Sequence, residues 1–307
     1  MSRRKVIGAI VFLISLPAVL VAIEAVSFFV HNRTNGSIVS SGKTRKYLLY
    51  LPRTYDRARP TPLVISMHGA SGWPVQQMEL SRWNELADRQ GFIVVYPSGM
   101  DSAGPRVWHV DEGPGLPRDV RFISELIDKL EASYNIDPAR IYANGFSNGG
   151  GMAFVLSCTL SERVAAVGMV GAAQTLPWSW CREHRAVPMI AFHGTADSFA
   201  FYNGGQSWVA PVPFPAVPKW TANWARRNGC QASVESAAAP DVTRREYTNC
   251  TDNASVVLFT VRGGGHTWPG GVPLPEWFTG PTSNSISATS EMWAFFQAHP
   301  LKKRRDR

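Results

Sequence analysis

The sequence predicts an α/β protein with a mostly parallel central sheet and helices on both faces. Short β-branched runs alternate with amphipathic runs along the chain, the pattern of buried strands that are connected by helices. The chain has 307 residues, of which 45% are hydrophobic, and nothing in it is repeated or low in complexity. We therefore expect one large domain with a thick core.

The predicted elements follow one another in a regular order. The runs at 62–67 and 92–96 are almost continuously apolar, as in strands that are buried on both faces. Further predicted strands cover 46–51, 140–142, 164–170, 188–193 and 255–261. Predicted helices cover 80–90, 120–134, 149–159 and 288–298. In such sheets the functional residues lie at the carboxyl ends of the strands.

The positive charge of the chain is concentrated at its two ends. Net charge is +8, but Arg3, Arg4 and Lys5 open the chain and a basic tail closes it at 301–307. The body between them is nearly neutral. The charge pattern indicates solvated ends and not a nucleic-acid-binding face.

Residues 1–30 are predicted to be an N-terminal signal peptide or membrane anchor. The apolar run from Val6 to Ile23 is longer than the roughly 7–15 residues of a typical signal core, which favours an anchor. Ala25-Val26-Ser27 nevertheless offers a site for signal cleavage. In both cases the domain lies outside the cytoplasm, either secreted or anchored to the outer face of the membrane, with membrane contact only through this segment.

A polar segment at 31–44, rich in Ser, Thr, Asn and Gly, predicts a spacer before a catalytic domain at 45–300. The four cysteines of that domain fit an oxidising compartment, and we expect two disulfides. Of the three connectivities, pairing in sequence order is the simplest, namely Cys158 with Cys181 and Cys230 with Cys250. Four free buried thiols are the alternative, and no spacing indicates a metal site.

A G-x-S-x-G sequence, Gly145 to Gly149, lies between the predicted strand at 140–142 and the predicted helix at 149–159. Such a sharp turn strains the backbone of its central residue, and the glycines leave room for it. The following helix directs free N–H groups at developing negative charge. Ser147 is therefore a candidate nucleophile, although glycine-rich turns of this kind also occur for packing reasons.

Two loops offer partners for this serine. The sequence from His68 to Gly72 follows an apolar strand and has little side-chain bulk, so an amide near Ala70 could complete an oxyanion hole with the amide of Asn148. Asp197 follows the buried run at 187–192 and could orient an imidazole. Taken alone, the first loop could be a plain turn with a structural His68, and Asp197 could be a turn former.

His266 is the best candidate for the base among the seven histidines. Three glycines precede it, so its loop can bring the imidazole over the sheet edge towards Ser147. Trp268 and His68 are candidates for the substrate-lining wall. A histidine in such a loop could otherwise simply cap a turn.

Ser147, Asp197 and His266 occur in the chain order of α/β-hydrolases, each after a predicted strand. The sequence thus predicts the α/β-hydrolase fold. The reaction would be acyl transfer, in which Ser147 attacks a carbonyl while His266 takes its proton. No metal or organic cofactor is required.

The segments at 145–150, 192–197 and 263–270 resemble the motifs of the polyhydroxybutyrate depolymerase and feruloyl esterase group of secreted α/β-hydrolases. The resemblance extends from about residue 45 to 300 and implies that Ser147, Asp197 and His266 are nucleophile, acid and base. The acidic pair usual in that family is here Arg118-Asp119, and relatives often carry Cys or Gln in the loop that here reads Ala70-Ser71-Gly72. We interpret these departures as changes at the substrate rim.

We therefore expect a serine carboxylic ester hydrolase that acts on a small or oligomeric ester, of the hydroxyalkanoate or the feruloyl and aryl type. Eleven tryptophans favour an apolar or aromatic cleft. The alternatives are a serine peptidase or acyltransferase on the same triad, and a non-catalytic surface binding protein with a hydrolase fold.

Overall fold

The computed structural model describes residues 33–100, 106–210 and 212–302. The predicted N-terminal segment at 1–30 and all but the first two residues of the basic tail lie outside these ranges. Within them, the chain forms one sheet with helices packed on it, and the largest part lies in a unit that begins at Thr34.

The strands are β1 (Gly36–Ser40), β2 (Lys43–Tyr50), β3 (Thr61–Met67), β4 (Ile93–Pro97), β5 (Ile136–Phe146), β6 (Ala166–Val170), β7 (Met189–Gly194), β8 (Ala232–Ala239), β9 (Val242–Thr248) and β10 (Val256–Val261). The helices are α1 (Pro74–Ser81), α2 (Trp83–Gln90), α3 (Leu116–Ser133), α4 (Asn148–Thr159), α5 (Val217–Arg227), α6 (Glu276–Thr279) and α7 (Ala288–Gln297). Two short 3₁₀ turns cover Trp178–Trp180 and Thr251–Asn253.

The strand order is β1-β2-β4-β3-β5-β6-β7-β10-β9-β8. The strands from β4 to β10 in this order run parallel, and antiparallel pairs close both edges. Every residue of β3, β4, β6 and β7 is buried, which explains their continuous apolar sequences. One hydrophobic cluster joins the sheet to α3, α4 and α5, and a second joins the other face to α1, α2 and α7. The predicted α/β-hydrolase fold is confirmed.

Several boundaries differ from the sequence prediction. Residues 36–40 of the predicted spacer form the edge strand β1: their backbone pairs with β2, while the side chains of Ser37 and Val39 are exposed. The helix predicted at 80–90 is two helices, α1 and α2, since Arg82 adopts a left-handed conformation with φ of 56°. The hairpin β8–β9 was not predicted because β8 is exposed along nearly its whole length and has no apolar periodicity.

The described residues contain two disulfides, Cys158–Cys181 and Cys230–Cys250, which is the pairing in sequence order. Such bonds persist in oxidising compartments, so the domain is extracytoplasmic. None of the helices in the described ranges is long and apolar enough to span a membrane.

Candidate active site

Ser147 occupies the sharp turn between β5 and α4. Its backbone has φ 53° and ψ −120°, a conformation that a residue with a side chain rarely adopts. The Ser147 N–H donates to the carbonyl of Val170 on the neighbouring strand at 2.8 Å. A conformation of this kind costs about 1–3 kcal/mol and persists only where the surrounding structure enforces it, as it does at many functional sites.

The two glycines around Ser147 are required by close backbone contacts. A Cβ atom on Gly145 would lie 2.2 Å from the carbonyl carbon of Gly149. A Cβ atom on Gly149 would lie 2.3 Å from the carbonyl oxygen of Met67, at the end of β3. The turn is therefore packed against itself and the adjacent strand, and this packing fixes the position of the serine.

Asp197 and His266 meet across the ends of β7 and β10. His266 Nδ1 lies 2.8 Å from Asp197 Oδ2, and both side chains are buried. The loop after β7 supplies the carboxylate, and the glycine-rich loop after β10 turns the imidazole back over the sheet edge. This contact holds Nδ1 as the protonated nitrogen and leaves Nε2 free to accept a proton.

Backbone and side-chain donors hold the Asp197 carboxylate in its ionised form. Oδ1 accepts hydrogen bonds from the N–H groups of Phe199 and Ala200 at 2.8 and 2.9 Å. His193 Nε2 lies 3.3 Å from Oδ2. Burial opposes ionisation, but hydrogen bonds from His193 and His266 outweigh it and lower the pKa of Asp197 well below its usual range.

The imidazole of His266 is clamped between two aromatic rings. The ring centroids of Phe146 and Phe199 both lie 4.8 Å from that of His266, and Phe199 is stacked on it. Phe146 directly precedes the serine, so this packing brings the histidine to the edge of the turn. Within the described ranges, Ser147 and His266 share no hydrogen bond, and catalytic hydrogen bonds of this kind often form only once the substrate is bound.

The loop predicted to help bind an oxyanion lies beside the serine. A Cβ atom on Gly69 would be 3.4 Å from Ser147 Cβ. Ala70, Asn148 and Ser147 line one cavity, and Asn148 is the first residue of α4. Ala70 and Asn148, whose backbone N–H groups are the predicted oxyanion donors, thus lie next to the serine.

His68 does not line the cavity, contrary to the sequence prediction. It is 1% exposed; its Nδ1–H donates to Gly69 O at 2.7 Å and its Nε2 accepts from the Gly99 N–H at 2.9 Å. Burial lowers the pKa of His68 to about 4, so the ring is neutral at pH 7. Through these two hydrogen bonds, His68 supports the loop at 68–72 from the interior of the protein.

Trp268 was also predicted wrongly as a wall of the pocket. Its indole is fully buried and donates from Nε1 to Thr289 Oγ1 at 2.9 Å, at the start of α7. An indole is most stable where its apolar ring is buried and its N–H has an acceptor, and packing against α7 provides both.

The cavity at Ser147 has a volume of about 740 Å³ and mostly apolar walls. Trp178 and Phe199 contribute aromatic surface to the walls, and Leu176 and Trp108 also border the cavity, although the Trp108 side chain is only 2% exposed. Asp111 is the only charged residue among the described lining residues. Sequence reasoning missed Trp108, because the segment around it has no periodic pattern.

Aromatic side chains continue from the cavity onto the surface. Phe199 contacts Trp208 and Phe278 with centroid distances of 5.2 and 5.0 Å, and Phe278 contacts Trp277 at 5.6 Å. Trp208 and Trp277 are 72% and 88% exposed. A path of aromatic rings therefore leads outward from His266.

The Arg118-Asp119 departure does not lie at a substrate rim, in contrast to our interpretation of the sequence. Asp119 is fully buried and its Oδ1 lies 2.8 Å from Arg45 Nη1, while Arg118 points to solvent. A carboxylate in this environment needs a cationic partner, and β2 supplies it. The other departure, at Ala70, does touch the cavity.

Comparison with known proteins finds esterases among the relatives of this chain. The family model "Esterase PHB depolymerase" matches residues 45–176. Feruloyl esterase B of Piromyces equi is 31% identical over 72% of this chain, which spans only 42% of that protein. "Putative esterase NocK" of Nocardia uniformis is 31% identical, with coverage of 83% of this chain and 79% of the relative.

Solved structures share the fold at low sequence identity. Acetyl xylan esterase from Aspergillus awamori is 16% identical, with a TM-score of 0.61 and coverage of 85% of this chain and 98% of the other. A ferulic acid esterase from Anaeromyces mucronatus, solved with ferulic acid, is 19% identical, with a TM-score of 0.52 and coverage of 87% and 89%.

Proposed function

This chain belongs to the PHB depolymerase and feruloyl esterase-like family of carboxylic ester hydrolases, and we propose that it acts through an acyl-enzyme formed on Ser147. The observation that carries the proposal is the 2.8 Å contact between His266 and Asp197 at the sheet edge where the strained Ser147 turn ends β5. A buried imidazole and carboxylate placed beside a strained serine are costly to keep for packing alone.

In the proposed first step, Ser147 Oγ attacks the ester carbonyl and His266 Nε2 accepts its proton. Asp197, held ionised by its donors, stabilises the imidazolium. The carbonyl oxygen becomes negative and is bound by the N–H groups of Ala70 and Asn148. Each such donor is worth about 2.7–4 kcal/mol of transition-state stabilisation.

In the second step, His266 protonates the leaving alcohol, which departs from the tetrahedral intermediate. Water then attacks the acyl-enzyme as His266 takes its proton, and collapse of the second intermediate releases the acid and returns Ser147 to its starting state. Every proton moves between Ser147, His266, substrate and water.

The cavity supports an apolar or aromatic acyl group, larger than acetyl. Its volume of about 740 Å³ lies in the range of sites for drug-sized ligands. Trp178 and Phe199 offer flat surfaces to an aryl or a hydroxyacyl chain. The proposed substrates are therefore hydroxyalkanoate oligomers and feruloyl or other aryl esters.

We also propose the arrangement of the chain around this domain. Residues 1–30 would export the protein or anchor it to the outer face of the cytoplasmic membrane, and the basic residues before the apolar run would stay inside. The catalytic domain would then extend to about residue 300, followed by the basic tail. The two disulfides support this placement.

The test is hydrolysis of p-nitrophenyl acetate, butyrate and octanoate and of methyl ferulate by the full chain and by Ser147→Ala. We expect turnover by the wild type and its loss in the variant, together with loss of labelling by a fluorophosphonate. A folded wild type that hydrolyses none of these esters and takes no label would overturn the proposal and favour a binding protein.

A further inference from the structure

A segment without regular structure, residues 106–110, lies between the two proposed oxyanion donors. Its main chain is paired with the side chain of Asn148: the Trp108 N–H donates to Asn148 Oδ1 at 2.7 Å, and Asn148 Nδ2 donates to Trp108 O at 3.0 Å. These two bonds fix the side chain of Asn148, the residue whose backbone N–H is one of the two proposed oxyanion donors.

The same segment also fixes the loop that carries the other donor. Trp108 Nε1–H donates to His68 O at 3.1 Å, and the Ser71 N–H donates to Arg106 O at 2.8 Å. These contacts flank Ala70 on both sides. Segment 106–110 thus connects the loop at 68–71 to the start of α4 by hydrogen bonds.

The segment is itself anchored to a buried ion pair. Asp119 Oδ2 accepts from the His109 N–H at 2.9 Å and lies 2.8 Å from His109 Nδ1. Asp119 Oδ1 lies 2.8 Å from Arg45 Nη1, and Arg45 also donates to Ser98 O at 3.2 Å. The Asp119 side chain is 0% exposed and that of Arg45 is 6% exposed.

We propose that Arg45 and Asp119 are positioning residues for the oxyanion hole, acting through His109 and Trp108. The inference rests on the proposed function. Buried ion pairs often contribute little net stability, because desolvation offsets their attraction. A fixed carboxylate that accepts two bonds from one residue can, however, hold the next residue to within a fraction of an ångström. Oxyanion stabilisation requires that accuracy, because its donors must be preorganised.

The first test variant is Asp119→Asn, which keeps the shape but loses the charge and one acceptor. We expect kcat for p-nitrophenyl acetate to fall about 10- to 100-fold with KM changed less than about twofold, since only the transition state gains from the hole. The Ki of a trifluoromethyl ketone, whose adduct places an oxyanion there, should rise by a similar factor. The matched control is Glu131→Gln, which removes another ion pair of α3, with Arg163, and should leave both constants unchanged.

A second variant separates positioning from folding. Arg45→Met with Asp119→Leu replaces the pair by apolar side chains of similar size, a change that is often neutral or stabilising. We expect a wild-type Tm with the same loss of kcat. Wild-type kcat and Ki in either folded variant, or failure of both to fold, would assign the pair to stability alone and overturn the inference. A wild type no more active than Ser147→Ala would instead overturn the proposed function itself.

Discussion

The turn that carries Ser147 and the aromatic rim formed by Phe199, Trp208, Trp277 and Phe278 lie at the same sheet edge but are built in opposite ways. In the turn, main-chain atoms of β3, β5 and α4 approach so closely that no Cβ fits at Gly145 or Gly149. In the rim, Trp208 and Trp277 expose most of their surface. We therefore expect the close backbone packing to position the reacting groups, and the exposed side chains of the loops to contact the substrate.

The largest effect on activity should come from Asp197→Asn, which changes the residue proposed to orient the base His266. The amide keeps the shape but stabilises the wrong imidazole tautomer, so kcat should fall about 10⁴-fold with KM nearly unchanged. Steady-state kinetics with p-nitrophenyl butyrate measure it, with thermal unfolding as the check on folding. A fall of less than tenfold in a folded variant would show that Asp197 does not orient the base.

The next effect should come from Gly149→Ala, which places a Cβ 2.3 Å from Met67 O. Backbone would have to move, and we expect about 3 kcal/mol of destabilisation together with loss of activity. The control is Gly263→Ala, at φ +69° with nothing within 4 Å of the added Cβ. It should cost only about 1 kcal/mol, from backbone conformation. Urea unfolding compares the two, and equal costs would show that the contact at Gly149 is relieved easily.

Acid should weaken the loop beneath Ala70 through His68. Burial lowers its pKa to about 4 in the folded protein, whereas the unfolded chain has the ordinary value near 6.5. The unfolded state therefore binds more protons between these values, so stability should fall as pH decreases from 6.5 to 4, by about 3 kcal/mol. His68→Asn should flatten this part of the profile of unfolding free energy against pH. An unchanged slope in that variant would assign the loss of stability to other groups.

The sequence predicted the parts that local chemistry determines. The continuous apolar runs predicted β3 and β4, and the glycines around Ser147 predicted a turn that only they allow. The sequence prediction failed where tertiary contacts determine the direction of a side chain. Trp268 and His68 lie in loops next to the site, yet the direction of each side chain depends on donors and acceptors elsewhere, Thr289 and Gly99.

Asp119 is a residue that the sequence analysis did not connect with the oxyanion hole. From sequence alone, a carboxylate at the start of an amphipathic helix is interpreted as a solvated residue or a helix cap. Only the approach of Arg45, from β2, and of the segment at 106–110 turns it into a buried acceptor. No spacing in the sequence encodes a contact between residues so far apart, so this part of the site could be found only in the structure.

Phe199 contacts both the proposed catalytic histidine and the cavity, so Phe199→Ala tests whether its ring mainly contacts the substrate or mainly positions His266. Its ring stacks on His266 and also lines the cavity. Because its ring borders the cavity, we expect KM for p-nitrophenyl butyrate to rise about 3- to 10-fold with kcat changed less than about threefold, the size expected for lost apolar contact. Trp277→Ala, at the far end of the aromatic path, is the control and should leave small esters unaffected. A fall in kcat at constant KM would instead place Phe199 with the turn, as a ring that holds the base in position.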